Sequence, residues 1–221
     1  MTKRNSRLWS VLRHVFLDKW KGSRHYSWAG FHYHRTIFVH VPKTGGVSIS
    51  RALFGHLGGG HTTAATYQRL LGSHYDRYFR FAFVRNPWDR IYSAYCFLCD
   101  GGFDPADEQW AVAHEEQLQS FESFVMEWLT PLTMEKKLHF LPQSHFLKNR
   151  AGVVDLDFLG RFEQLEEGFA EVCSQLDVTA TLRHHNASRR DSEYRDAYSI
   201  PMRNRIAELY AEDVDRFDYE F

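Results

Sequence analysis

Between residues 36 and 57 the chain changes character twice, and the order of those changes constrains its fold more than any other stretch. Thr36-Ile37-Phe38-Val39-His40-Val41 is short, β-branched and mostly apolar, and Pro42 bounds it, which predicts a buried strand. Pro42-Lys43-Thr44-Gly45-Gly46 follows as a glycine loop, and Val47 to Leu57 carries apolar residues at 49, 53 and 57, a helical period. Phe79 to Val84 repeats the theme as a second strand, closed by Arg85-Asn86-Pro87. Pro87 suits a first helical turn, and Ile91, Tyr95 and Leu98 then space as one helix face.

Further along, Ser120 is placed to cap a helix running through Leu129. Val153 to Leu156 and Phe158 to Phe162 read as short extended pieces, and Leu165 to Leu176 as a helix with Phe169, Val172 and Leu176 inward. Pro201 opens a last amphipathic helix containing Ile206, Leu209 and Tyr210. Strands alternating with helices predict an α/β fold with a central parallel sheet flanked by helices.

With 221 residues, 43% of them hydrophobic, the chain can bury a full core, and the absence of repeats or a composition-defined linker predicts a single domain over residues 31–221 behind a 1–30 appendage. The formal net charge of −1 excludes a globally basic nucleic-acid coat. That sum conceals an asymmetry: residues 1–40 hold eight Lys/Arg and one Asp, while 104–135 hold eight Asp/Glu and no Lys/Arg. Leu8, Trp9, Val11, Leu12, Val15, Phe16 and Trp20 share one arc of a helical wheel, but Arg13, His14, Asp18 and Lys19 break both a signal-peptide core and a membrane span. Residues 8–21 therefore read either as a basic amphipathic helix in peripheral contact with an anionic membrane or as a terminal helix docked on the protein itself. Three cysteines imply no disulfide framework and suit a reducing compartment. Cys96 and Cys99 form a Cys-x2-Cys with no second pair, so they read as one buried helix face rather than half of a zinc site.

Chemistry concentrates at the two strand ends. Glycines at 45 and 46 permit close backbone approach, so the amides of Thr44, Gly45, Gly46, Val47 and Ser48 can turn toward an anion at the N-terminus of the following helix, with Lys43 adding a mobile charge beside Pro42. The spacing departs from the Walker A form, which disfavours a nucleotide-dependent kinase; a non-catalytic nucleotide-binding module is the other alternative. Arg85, ending the next strand, and Ser93, eight residues on, form a second candidate anion site, unless Arg85 is spent on Asp89. Two separated cationic sites suit a ligand with two separated phosphates.

The succession Ile37 to Gly46, then Phe81-Ala82-Phe83-Val84-Arg85-Asn86-Pro87-Trp88-Asp89-Arg90-Ile91-Tyr92-Ser93-Ala94-Tyr95, resembles the carbohydrate sulfotransferase family that includes the heparan 2-O-sulfotransferases. Phe158-Leu159-Gly160-Arg161-Phe162-Glu163 and the ending Leu209 to Phe221 are similar as well, so the likeness runs from residue 36 to the end. The resemblance implies a P-loop-like fold, a compact microbial-type enzyme, and 3′-phosphoadenosine 5′-phosphosulfate (PAPS) as donor. It implies Pro42, Lys43 and the 44–48 loop around the 5′-phosphosulfate, with Arg85 and Ser93 at the 3′-phosphate. It also points to Ser188 and Arg189, with Arg190, as a loop over the nucleotide; a solvated basic turn is the alternative.

Sulfuryl transfer needs a base for the acceptor hydroxyl and charge stabilisation on the leaving phosphate, and Lys43 can supply the second without a metal. His61 follows Gly58-Gly59-Gly60, and Gly60-His61-Thr62-Thr63-Ala64 resembles the family stretch that carries a histidine base. An exposed loop histidine without a role is the alternative, with His40, His56, His145 or a carboxylate as competing bases. Gln143 and His145 resemble a segment near the acceptor cleft. The expectation is a PAPS-dependent carbohydrate O-sulfotransferase acting on a glycan or glycolipid in the cytoplasm, and the acidic 104–135 stretch favours a weakly charged acceptor over a heparin-like one.

Overall fold

In chain order, the residues described by the computed structural model, 26–182 and 193–221, begin with β1 (Tyr26–Ser27), α1 (Ala29–His34), β2 (Thr36–Val39), α2 (Gly46–Phe54), β3 (Leu57–Gly58), α3 (Ala64–Leu71) and β4 (Phe79–Val84). There follow α4 (Pro87–Cys99), α5 (Pro105–Ala113), α6 (Phe121–Ser123), α7 (Pro131–Met134), α8 (Gln143–Leu147), β5 (Phe158–Arg161), α9 (Leu165–Gln175), α10 (Ile200–Leu209) and α11 (Ala211–Phe217). The amphipathic stretch 8–21 and the residues Ser188, Arg189 and Arg190 lie outside the described residues. None of the described helices is long and apolar enough to cross a membrane. The described chain gathers into two compact units: residues 26–84 with 143–182, and residues 85–142 with 193–221.

The first unit holds the sheet β2-β4-β5, parallel throughout, with Thr36 opposite Phe79 and Val84 opposite Arg161 at its two ends. β4 is central, and its run Phe81-Ala82-Phe83-Val84 is buried without alternation, as expected of a strand covered on both faces. Phe38 stacks on Phe81 across β2 and β4, ring centroids 4.9 Å apart. The helical period predicted through Leu57 stops earlier. Gly55 takes a left-handed φ of 71° and caps α2, and Leu57 is apolar because it is buried in β3, paired in parallel with β1. The predicted extended piece at Val153 to Leu156 reduces to one bridge, Val154 with Lys148. Asp157, just before β5, instead accepts from both the backbone and the guanidinium of Arg80.

In the second unit Asn86 caps α4 by accepting from the Trp88 amide, with Pro87 in the first turn as the sequence predicts. Trp88 donates to the Arg203 carbonyl and accepts on its own carbonyl from Tyr198 Oη. Ser120 caps its helix as expected, but only α6 is α-helical. Residues Phe124–Trp128 widen to a π turn closed by Leu129 N to Phe124 O at 2.9 Å, which stacks Phe124 on Trp128. Arg90 is fully buried and donates to the carbonyls of His139 and Leu141. Burial lowers its pKa, while the nearby Tyr210 and Asp213 favour the charged form. Cys96 is half-buried and Cys99 exposed, so the shared buried face predicted for the pair is not formed.

Candidate functional site

Two residues beyond β2 the chain enters Pro42 and Lys43, and the loop that follows is fixed at each step. Lys43 adopts φ 69° and Gly45 φ 78°, both left-handed, which folds the backbone tightly enough for Gly45 to cap α2. Thr44 is fully buried and donates its hydroxyl to the Val41 carbonyl at 2.9 Å. The Ser48 and Ile49 amides both donate to Gly45 O, at 3.0 and 3.2 Å. Ser48's amide is thereby taken up in the cap. Among the described residues, no backbone carbonyl accepts from the amides of Gly46 and Val47, the first two of the helix. Those two N–H groups carry the positive end of the helix dipole and are the donors the loop offers to an anion. A Cβ built on Gly45 would come within 2.9 Å of Leu165, the first residue of α9, and 3.4 Å of Phe162 in the turn before it.

Gly46 is required for a second reason. A Cβ built on it would collide with Cδ2 and Nε2 of His40, so the buried His40 ring lies flat against the start of α2. The ring is also near-parallel to that of Phe38, centroids 5.4 Å apart, and the ring of His61 lies 4.3 Å away at 45°. His40 directly follows β2 and stands two residues from Phe38, so the two side chains share a sheet face by strand periodicity.

His61 is held by its Nδ1, 3.0 Å from the carbonyl oxygen of His40. A carbonyl only accepts, so Nδ1 carries the proton and the neutral ring keeps its lone pair on Nε2. The preceding glycines are not slack. Gly59 and Gly60 take left-handed φ of 55° and 64°, Tyr67 Oη and Thr62 Oγ1 both donate to Gly59 O, and Thr63 caps α3 by accepting from the Thr66 amide. Burial drives the Tyr67 pKa far upward, so its hydroxyl is a fixed donor. The loop is thus a built turn that presents a half-buried His61.

Of the competing histidines, His56 turns its Nδ1 to the neighbouring Leu57 carbonyl, and His145 is exposed on α8. The structure brings Phe146 rather than His145 against His61, ring centroids 6.4 Å apart. Gln143 is fully buried at the start of α8. Arg161 ends β5 in register with Val84.

In the second unit, Arg85 is 4% exposed and binds Asp89 through Nη2 at 2.6 Å and Nε at 2.8 Å. The pairing weighed as an alternative from the sequence is therefore formed. It orients a buried guanidinium at the start of α4, and Ser93, 1% exposed, lies one turn beyond Asp89 on the same helix face. Arg85, Asp89 and Ser93 form a stripe at four-residue spacing.

A protein-family model described as the sulfotransferase family matches residues 31–220. The chain belongs to the sulfotransferase family. No curated protein and no solved structure gives a match. Membership makes the protein a transferase of sulfuryl groups, and the parallel sheet with its strand, glycine loop and helix is the P-loop-like fold of sulfotransferases. The family typically uses PAPS, and the residues of this sulfotransferase suit a phosphate-bearing donor: two amides at a helix start that no backbone carbonyl takes up, and a lysine three residues before them. Among the described residues no cluster of three His, Cys, Asp or Glu is arranged to hold a metal ion. From the sequence, His40 is only one of the alternative bases. Its place between Phe38, Gly46 and His61 was signalled by the strand period and by a glycine where the helix has no other need of one.

Proposed function

We propose that this sulfotransferase moves a sulfuryl group from PAPS to a hydroxyl of a carbohydrate or glycolipid, with His61 as general base. The observation that carries the proposal is the His61 Nδ1 bond to the His40 carbonyl, because it leaves Nε2 as the basic nitrogen and fixes the ring beside the glycine loop through His40. When bound, the donor supplies an electrophilic sulfur whose bond to the bridging phosphate oxygen is the one that breaks. Nε2 of His61 takes the proton of the acceptor hydroxyl as that oxygen attacks. Lys43 offsets the charge left on the phosphate, with the amides of Gly46 and Val47 directed at the same group and Pro42, Thr44, Gly45 and Ser48 shaping the cradle. Arg85 and Ser93 hold the 3′-phosphate, and Ser188 and Arg189, outside the described residues, are further nucleotide contacts. Gln143 and His145 contact the acceptor. The scheme uses no metal, treats residues 31–221 as the transferase domain, and sets the reaction in the cytoplasm, with residues 8–21 either in peripheral contact with an anionic membrane or docked on the protein itself.

The test is calorimetric and kinetic together. Adenosine 3′,5′-bisphosphate should bind, adenosine 5′-monophosphate should bind more weakly, and Arg85→Ala should abolish the difference between them. Radiolabelled PAPS should label a glycan acceptor in the wild type. Equal binding of the two nucleotides by the wild type would refute the assignment of Arg85 and Ser93, and ATP-dependent phosphorylation in place of sulfation would refute the reaction.

A further inference from the structure

Both polar ends of the Asn86 side chain are engaged, and in opposite directions along the chain. Its Oδ1 accepts from the Trp88 amide and so starts α4, while its Nδ2 donates at 2.7 Å to the carbonyl of Glu220, 134 residues on. Asn86 is 7% exposed, so a lost partner would leave a buried donor unmet. The residue after Glu220, Phe221, stands near-perpendicular to three rings of the same unit. Its centroid lies 5.7 Å from Trp88, 5.7 Å from Tyr194 and 5.6 Å from Tyr198. Cζ of Arg203 lies 4.7 Å from the centre of the Phe221 ring, and that of Arg195 5.9 Å, within cation–π range.

These contacts converge on the first turn of α4. Trp88 donates from its indole to the Arg203 carbonyl and accepts on its own carbonyl from Tyr198 Oη, and Phe221 packs against all three residues. Burial drives the Tyr198 pKa far upward, so that hydroxyl stays a donor. Arg85 directly precedes Asn86, and its guanidinium is bound to Asp89 one turn into the helix. The aim of Arg85 is therefore set by where α4 begins. Ser93 stands on the same helix. Charge-assisted hydrogen bonds to a phosphate weaken steeply as distance and angle depart from ideal, so a shift at the start of α4 would be felt at the 3′-phosphate.

We propose that Phe221, acting through the Glu220 carbonyl and Asn86, is a positioning residue that holds Arg85 in place for the 3′-phosphate and so sets the 3′ specificity of the nucleotide site. This rests on the assignment of Arg85 and Ser93 above. An apolar residue alone would fill the corner between Trp88, Tyr194 and Tyr198. The bond from Asn86 to the backbone beside Phe221 is what carries that packing to Arg85.

The experiment compares the full-length wild type, Phe221→Ala, Asn86→Ser and the double variant. Serine keeps the helix cap, adds no charge and removes the donor to Glu220. Calorimetric dissociation constants for adenosine 3′,5′-bisphosphate and adenosine 5′-monophosphate give the 3′ preference of each protein. Each single variant should lose about tenfold of that preference through weaker binding of the bisphosphate alone. The double variant should lose no more than either single one, because both cut the same path. Phe221→Tyr, which keeps the ring, should retain the wild-type preference. A preference unchanged in either single variant, a proportionate loss of both nucleotides, or single losses that multiply in the double variant would overturn the inference. Asn86→Ser, which leaves the aromatic corner intact, decides the matter alone should Phe221→Ala not fold. A ligand-free reading separates this from the nucleotide assignment. In the 15N-labelled chain the Arg85 Nε–H signal should shift and exchange faster with solvent in both single variants, and a signal unmoved in both would overturn the inference whatever the nucleotides do. A moved signal in a protein whose wild type shows no 3′ preference would refute the assignment of Arg85 to the 3′-phosphate and leave the hold of Phe221 on Arg85 standing.

Discussion

His61 donates from Nδ1 to the backbone carbonyl of His40, and the two rings lie 4.3 Å apart. His61, the proposed base, and the strand that feeds the glycine loop are thus joined through one residue, whose carbonyl sets the tautomer of the first and whose ring lies against the start of the helix after the second.

Replacing His61 by alanine removes the proposed proton acceptor and leaves every residue of the glycine loop in place. The expected outcome is a fall in kcat of about 10² to 10⁴ with the affinity for adenosine 3′,5′-bisphosphate unchanged. Steady-state rates and calorimetry on the same preparation check it. A variant with near-native kcat would remove His61 from the reaction.

Gly46→Ala forces a methyl group into the His40 ring, and an overpacked site of this kind costs about 1 to 3 kcal/mol. His40→Ala alone leaves a cavity where a buried ring had been. In the double variant the new methyl occupies part of that cavity, so the two losses should fall short of adding by at least about 1 kcal/mol. Urea unfolding of the four proteins measures the coupling, and strict additivity would mean that the contact between His40 and Gly46 does not exist in solution.

Lys43 holds a left-handed φ of 69°, a conformation that costs a side-chain-bearing residue about 1 to 2 kcal/mol and costs glycine nothing. Lys43→Gly trades that strain against the greater freedom of glycine in the unfolded chain, so it should range from equal stability to about 1 kcal/mol more stable. Nucleotide affinity should fall by about tenfold or more, because the proposed charge-assisted contact to phosphate would be lost. Stability and binding then move in different directions, which a general packing role for Lys43 would not produce. The readouts are the unfolding midpoint and the bisphosphate dissociation constant.

The strands and the glycine loop were legible because their signals are local. A continuous apolar run such as Phe81 to Val84 predicts a strand buried on both faces, and Pro87 marks the first turn of α4. What failed depended on contacts distant in sequence or on competition within a short segment. Leu57 completed a helical period, but Gly55 ended the helix and pairing with β1 claimed the leucine. Ser120 signalled the helix it caps, yet the aromatic packing of Phe124, Trp128 and Phe140 goes with a wider turn that no three- or four-residue spacing reveals. At the candidate site, the loop and His61 could be named from residue type and order, while the bond that decides the His61 tautomer joins residues 21 apart and involves a backbone atom. Arg85 was ambiguous between ligand and ion pair because Asp89 stands one turn away, and the pair is present.

Asp157 supplies the last prediction, on acid stability. Its carboxylate accepts from Arg80 Nε at 2.9 Å and from the Arg80 amide at 2.8 Å, and these bonds to Arg80 hold its pKa below the usual carboxylate value against the opposing effect of burial. The folded state therefore binds the Asp157 proton less readily than the unfolded chain does. Its stabilisation is complete above the unfolded pKa, about 4, and is lost as pH falls through the lower folded value. The side chain is 38% exposed, so solvent screening limits the contribution to about 1 kcal/mol. Asp157→Asn should be less stable than the wild type by that amount at pH 6, and the gap should close between about pH 4 and pH 2. Chemical denaturation across that range checks it, and a difference that stays constant with pH would show that the loss comes from packing rather than from the charge.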